Sequence, residues 1–391
     1  MDVRMQPWPC FTAEEQDAVA RVIGSNKVNY WTGGEGRAFE REFAEWVGSA
    51  KAIALANGTL ALEVALKALG VGPGDEVIVT PRTFLASASC VVTVGATPVF
   101  ADVDRDSGNI TPAAARAVLT EKTRAIVPVH LAGWPCDMPG FKTLAAETGV
   151  AIIEDCAQAH GATIDGRNVG TFGDIGAWSF CQDKIITTGG EGGMVNTDDA
   201  ELWSRMWSYK DHGKSFELME SKDHPPGFRW VHESFGSNYR MLEVQSVIGR
   251  IQLRRLADWH RRRTANARSL ADSLLQFPGA VRVPMPPPGS EHAFYRLYAY
   301  VKPEGLASGW DRDRIVAELN ARGLPAFQGS CSEVYLEKAF DGTGFRPLQR
   351  LPAAMELGET SIALLTHPTL SPDDLAAARV AIDEVFGQAA A

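Results

Sequence analysis

Ala151-Ile152-Ile153-Glu154-Asp155-Cys156-Ala157-Gln158-Ala159-His160-Gly161 is a short apolar run that stops on two adjacent carboxylates. Ala151 to Glu154 shows no polar alternation. That is the pattern of a strand buried on both faces, and such strands belong to parallel sheets covered by helices. Ala125 to His130 reads the same way, and Ile175 to Phe180 and Gly193 to Thr197 continue the set. Upstream, Lys51 to Leu55, Glu76 to Val79 and Thr97 to Asp102 alternate with helical spacing at Leu60 to Leu69 and Phe84 to Val94. Strand–helix alternation at this spacing predicts an α/β fold with a mostly parallel sheet flanked by helices.

In such a sheet the ligand crevice lies beyond the carboxyl ends of the strands. Neighbours on a strand point opposite ways, so one of Glu154 and Asp155 faces the crevice. A carboxylate buried there needs a cation. A core arginine would serve, and so would a protonated ring nitrogen. Ser179-Phe180-Cys181-Gln182-Asp183-Lys184, followed by Gly189-Gly190-Glu191-Gly192-Gly193, sets a lysine beyond an apolar strand and beside a glycine-rich turn. Partial desolvation at such a place favours the neutral amine, which attacks carbonyls; a solvated surface lysine is the plainer alternative. Asn57-Gly58-Thr59 opens a helix after a strand, which suits either a phosphate or a simple cap. Pro81-Arg82-Thr83-Phe84 places an aromatic ring after another strand, for stacking on a flat ligand or for the core.

The 391 residues exceed one compact core and predict two domains. A large domain over 1–250 is expected, with its segment 1–35 packing near the small domain and the active site. A smaller α+β C-terminal domain over 251–391 would include a long connecting helix. On that helix Val244, Val247, Ile248, Ile251 and Trp259 share one face, and Arg254, Arg255, Arg261, Arg262 and Arg263 read as a solvated face, with an anion-binding stripe as the alternative. A net charge of −10 disfavours nucleic acid as a partner. No run approaches a membrane span, and MDVRMQPWPC has no basic region before an apolar stretch, so a cytoplasmic protein is expected. The six scattered cysteines form no Cys-x-x-Cys pair; they predict buried thiols and no metal site.

Gly58-Thr59, Thr83-Phe84, Asp155 with Gln158, and Ser179 with Lys184 occur in an order that resembles the DegT/DnrJ/EryC1/StrS family of sugar aminotransferases. The likeness extends to Trp31-Thr32-Gly33-Gly34, Gly74 to Val79, Gly95 to Phe100, Pro128 to Leu131 and Asn238-Tyr239-Arg240-Met241. It implies the pyridoxal-phosphate (PLP)-dependent transferase fold type I, the aspartate-aminotransferase-like architecture. By resemblance, Lys184 is the Schiff-base lysine and Asp155 the partner of the pyridine nitrogen. Gln158 contacts the ring's phenolic oxygen, Phe84 stacks on the ring, and Gly58, Thr59 and Ser179 cradle the phosphate. Asn238 reaches the phosphate of the other subunit's cofactor, which implies a homodimer with shared active sites.

The implied reaction moves an amino group from glutamate or glutamine to a keto sugar, nucleotide-linked, for polysaccharide or secondary-metabolite aminosugars. A cyclitol or ketose aminotransferase is the alternative. A PLP sugar dehydratase is a further one, although those relatives replace the lysine with histidine. Gly329-Ser330-Cys331-Ser332-Glu333-Val334-Tyr335 and Gly236-Ser237 depart from the family pattern where substrate is expected. His292, Tyr295, Tyr335, Tyr30 and Trp31 are the remaining candidates for substrate contact.

Overall fold

The computed structural model describes Met5 and residues 7–391. Residues 1–4 and 6, which begin the segment 1–35 discussed above, lie outside the described residues. Seven strands form the larger sheet: β1 (Lys51–Leu55), β2 (Glu76–Val79), β3 (Thr97–Phe100), β4 (Thr123–Val127), β5 (Ala151–Asp155), β6 (Ile175–Ser179) and β7 (Gly193–Thr197). Their spatial order is β1-β7-β6-β5-β4-β2-β3. All run parallel except β7, which is antiparallel to β1 and β6. The mixed, mostly parallel sheet is therefore as the sequence implies. β4 ends earlier than the apolar run because Pro128 has no N–H for the ladder. Its carbonyl still accepts from Asp155 N at 2.9 Å, so pairing continues loosely beyond the strand.

The carboxyl ends of β1, β2, β5 and β6 emerge along one edge of the sheet, and the chain turns there into Asn57, Pro81, Cys156 and Phe180. Behind that edge Ile53, Leu55, Val77, Val79, Ile153 and Ala177 are buried against helix Gly58–Ala68 and its neighbours.

A second, antiparallel sheet joins Val281–Arg282, Arg296–Val301, Ser361–Leu365 and Ala326–Phe327 in that spatial order. Helices Arg312–Ala321 and Pro372–Ala389 pack on it through Ile315, Leu319, Ile382 and Phe386. Helix Glu243–Leu274 has 32 residues and touches both bodies. Near its start Val247 and Ile251 pack on Ala18 and Val22, and near its end Ala267, Leu270 and Leu274 enter the core of the second sheet.

Two expectations need correction. Arg263 is not on a solvated face: it is 1% exposed, because the N-terminal segment lies over that side of the helix and Trp8 stacks on its guanidinium at 5.0 Å. The cysteines are not all buried: Cys90, Cys136 and Cys156 are, while Cys10 and Cys331 are exposed and Cys181 is half-buried. Among the described residues no helix is long and apolar enough to cross a membrane.

Candidate active site

Strand β5 directs its two terminal carboxylates to opposite faces. Glu154 points into the protein and is saturated. Its oxygens accept from Gly170 N at 2.8 Å, Phe172 N at 2.7 Å and Gly173 N at 2.7 Å, and one meets His130 Nε2 at 3.0 Å. Asp155 points to the open edge, where it lines a cavity of about 560 Å³. It is 4% exposed and, among the described residues, accepts only from the Ser87 hydroxyl at 2.7 Å and Ala157 N at 3.1 Å. Burial raises its carboxyl above the ordinary range, against the pull of Ser87, Ala157 and the Lys184 charge. Among the described residues no core arginine partners it.

Gly58, Thr59 and Ser179 meet at another wall of the same cavity. Asn57 caps helix Gly58–Ala68 by accepting from Leu60 N at 3.0 Å. The helix start thus presents its free N–H groups to the cavity. Gly58 is required there: a Cβ would lie 2.6 Å from Ser179 Cβ. The glycine lets the helix start and the end of β6 close into one cradle.

Lys184 follows β6 through a turn in which its N–H donates to Cys181 O at 3.1 Å. Its Nζ lies 3.8 Å from an Asp183 carboxylate oxygen and 5.1 Å from the centre of the Tyr295 ring. Asp183 in turn accepts from the Tyr295 hydroxyl. Its carboxyl is held below the ordinary range by the Lys184 charge, Tyr295 and Arg296, which together outweigh desolvation. Behind the loop, burial first, then the Lys184 and Arg263 charges, push His160 down to about 3, so it is neutral at working pH.

Gln158 also lines the cavity. Its carboxamide oxygen accepts from Ala132 N at 2.7 Å, which turns the amide NH2 away from that anchor. Phe84 forms part of the wall and is 69% exposed, unusual for a phenylalanine and opposite to a core role. Asn238 is exposed and does not line this cavity; it bridges to Asp211 through the backbone.

The candidates for substrate contact fare differently. Tyr30, His292 and Tyr335 are buried in packing and Trp31 is half-buried; none lines the cavity. Tyr295 does not line it but borders it, through its hydroxyl on Asp183 and its ring beside Lys184 Nζ. Cys331 of the divergent 329–335 stretch accepts at its carbonyl from Thr83 N at 3.1 Å, which brings that stretch beside the Phe84 wall. Ser87, which holds Asp155, carried no sequence signal beyond its place in the helix after Phe84.

The sequence profile of the DegT/DnrJ/EryC1/StrS aminotransferase family matches residues 9–382. The chain belongs to this family. It is an aminotransferase, and aminotransferases of this family are PLP-dependent. The aminotransferase is 38% identical over 367 residues to UDP-N-acetyl-3-dehydro-alpha-D-glucosamine 3-aminotransferase of Acidithiobacillus ferrooxidans, covering 92% of each chain. It superposes on the crystal structure of an aminotransferase from Psychrobacter cryohalolentis with a TM-score of 0.97 at 60% identity, covering 98% of this chain and 99% of that one. It also matches the PLP form of the putative sugar aminotransferase Spr1654 from Streptococcus pneumoniae with a TM-score of 0.87 at 25% identity, covering 99% of each.

Proposed function

We propose that this aminotransferase uses PLP to move an amino group from glutamate or glutamine to a nucleotide-linked keto sugar. The observation that carries the reading is Asp155: a buried carboxylate, short of partners, in one cavity with Lys184 and a glycine-built cradle. The residues fit the cofactor. Asp155 supplies the anion that a protonated pyridine nitrogen needs. Gly58, Thr59 and Ser179 offer N–H and hydroxyl donors to a phosphate. Phe84 offers a ring face, and Gln158 an amide NH2.

When bound, the cofactor supplies an electron sink and a carrier for the amino group. Lys184 Nζ is the base that removes the proton from the donor's amine-bearing carbon. In the second half-reaction it delivers a proton to the sugar carbon that becomes the new amine carbon. Asp155, held by Ser87 and Ala157 N, keeps its partner nitrogen protonated throughout. The amino group rests on the enzyme between departure of the keto acid and arrival of the sugar, so the kinetics should be ping-pong. The keto-sugar reading draws on the Acidithiobacillus relative, whose name gives a UDP-linked 3-keto sugar.

The proposal includes a homodimer. Asn238 is exposed, and Phe228, Trp230 and Phe235 on the stretch before it are 79%, 85% and 101% exposed, a face suited to a second copy. Mixing Lys184→Ala with Asn238→Ala chains should restore activity, because one site per mixed dimer is then intact.

The deciding experiment loads the enzyme with amine and offers keto sugars, with and without a nucleotide, beside an inosose. Turnover of a nucleotide-linked keto sugar supports the reading. Turnover confined to the inosose replaces it with a cyclitol aminotransferase.

A further inference from the structure

We propose that Trp8 is a positioning residue for Lys184, and that the N-terminal strap ties the lysine's main chain to the small domain. The inference rests on the reading of Lys184 as the cofactor-bearing lysine.

The only polar atom of the Trp8 side chain is spent on that lysine: Nε1 donates to Lys184 O at 2.9 Å. The indole itself is held on three sides. Trp259 of the long helix meets it edge-on at 5.0 Å, the Arg263 guanidinium covers its face at 5.0 Å, and His367 lies nearly parallel at 6.3 Å. One residue earlier, Pro7 O accepts from the Thr369 hydroxyl at 3.0 Å, and Met5 packs on the small-domain core. A single indole therefore links the lysine loop, the long helix and the loop after strand Ser361–Leu365.

A mobile proton carrier needs a fixed root. Lys184 Nζ works at two carbons in turn, and a shift of its backbone by about 1 Å costs on the order of a hundredfold in rate. Within its turn the lysine main chain has the Cys181 O contact; Trp8 supplies the tether from outside. Arg263 completes the device. Burial pulls it down to about 9, so it is still a cation at neutral pH, and its Nε and Nη2 have no partner among the described residues. Its attraction to the indole face is thus undiluted by a counter-ion.

The test uses Trp8→Phe, which keeps a ring and removes the N–H, beside Trp8→Ala. In Trp8→Phe, amides of residues 182–186 should exchange faster in cofactor-free protein. Loss of visible absorbance on dilution of the holoenzyme should be about threefold to tenfold faster, the loss of one hydrogen bond. kcat should fall by a similar factor with KM for the amino donor unchanged. Trp8→Ala should add a lower Tm. Wild-type exchange, cofactor release and kcat in Trp8→Phe would overturn the proposal. So would a lower Tm with those three unchanged, since that marks a merely structural ring. Failure of the underlying reading shows separately, as visible absorbance that survives Lys184→Ala.

Discussion

Glu154 and Asp155 are neighbours on one strand, both buried, and chemically almost the same. They differ in what surrounds them. Glu154 meets three backbone N–H groups and the His130 ring. Asp155 meets a hydroxyl and one backbone N–H, and looks into a cavity that also holds Lys184. A fully hydrogen-bonded buried carboxylate is part of the scaffold, because nothing is left for a ligand to satisfy. One left short has its charge reserved for a partner, and its raised proton affinity registers that debt. The closed face of β5 builds the fold and the open face lines the candidate site.

The comparison breaks most simply at Lys184. If the open face is the site, Lys184→Ala should lower kcat by at least about ten-thousandfold and leave Tm close to wild type, measured by single-turnover amine transfer. Asp155→Asn should lower kcat by about a hundredfold to a thousandfold, since a fixed charge facing the reaction is lost. Its stability should move the other way. The folded carboxyl of cofactor-free protein binds its proton more tightly than an unfolded chain does at the ordinary 3.8. Cofactor-free protein therefore gains stability as pH falls from the raised value toward 3.8, and loses it as pH rises through the raised value. Asp155→Asn should flatten that slope and be at least as stable as wild type at neutral pH, read by thermal melts across pH.

Glu154→Gln is the mirror experiment. It places an NH2 against backbone donors and should cost about 3 kcal/mol in urea unfolding. The protein that remains folded should keep most of its kcat. A catalytic collapse with unchanged stability would erase the distinction between the two faces. The smallest effect is expected at Gly58→Ala. Forcing a methyl against Ser179 costs about 1–3 kcal/mol of packing strain. It should appear as weaker PLP retention in dialysis, with kcat at saturating PLP little changed.

The parallel sheet was legible because its strands are unbroken apolar runs; Lys184, Asp155 and Gly58 stood out because they end such runs or lie shortly beyond them, and the fold brings the three to one cavity. What the sequence concealed was contact between distant segments. Ser87 is 68 positions from Asp155, and Trp8 is 176 from Lys184; neither carries a local pattern that names its partner. Arg263 was misread for the same reason. Helical periodicity shows which residues share a face, not whether a strand-free segment from elsewhere lies on it. Tyr30, His292 and Tyr335 were candidates for substrate contact, and the fold uses them as packing.

Strand β7 carries a consequence for biosynthesis. Among the described strands it is the only one that pairs with β1, and its pairing joins Lys51 to Thr197 and Leu55 to Gly193. As the nascent chain leaves the ribosome, Lys51–Leu55 emerges early and must wait for nearly 140 further residues at about 5–20 residues per second. During those seconds Ile53 and Leu55, both wholly buried at the end, have no strand beside them. A stall in translation just short of residue 193 would leave an unpaired apolar edge, the species that chaperones hold and that aggregates when they do not.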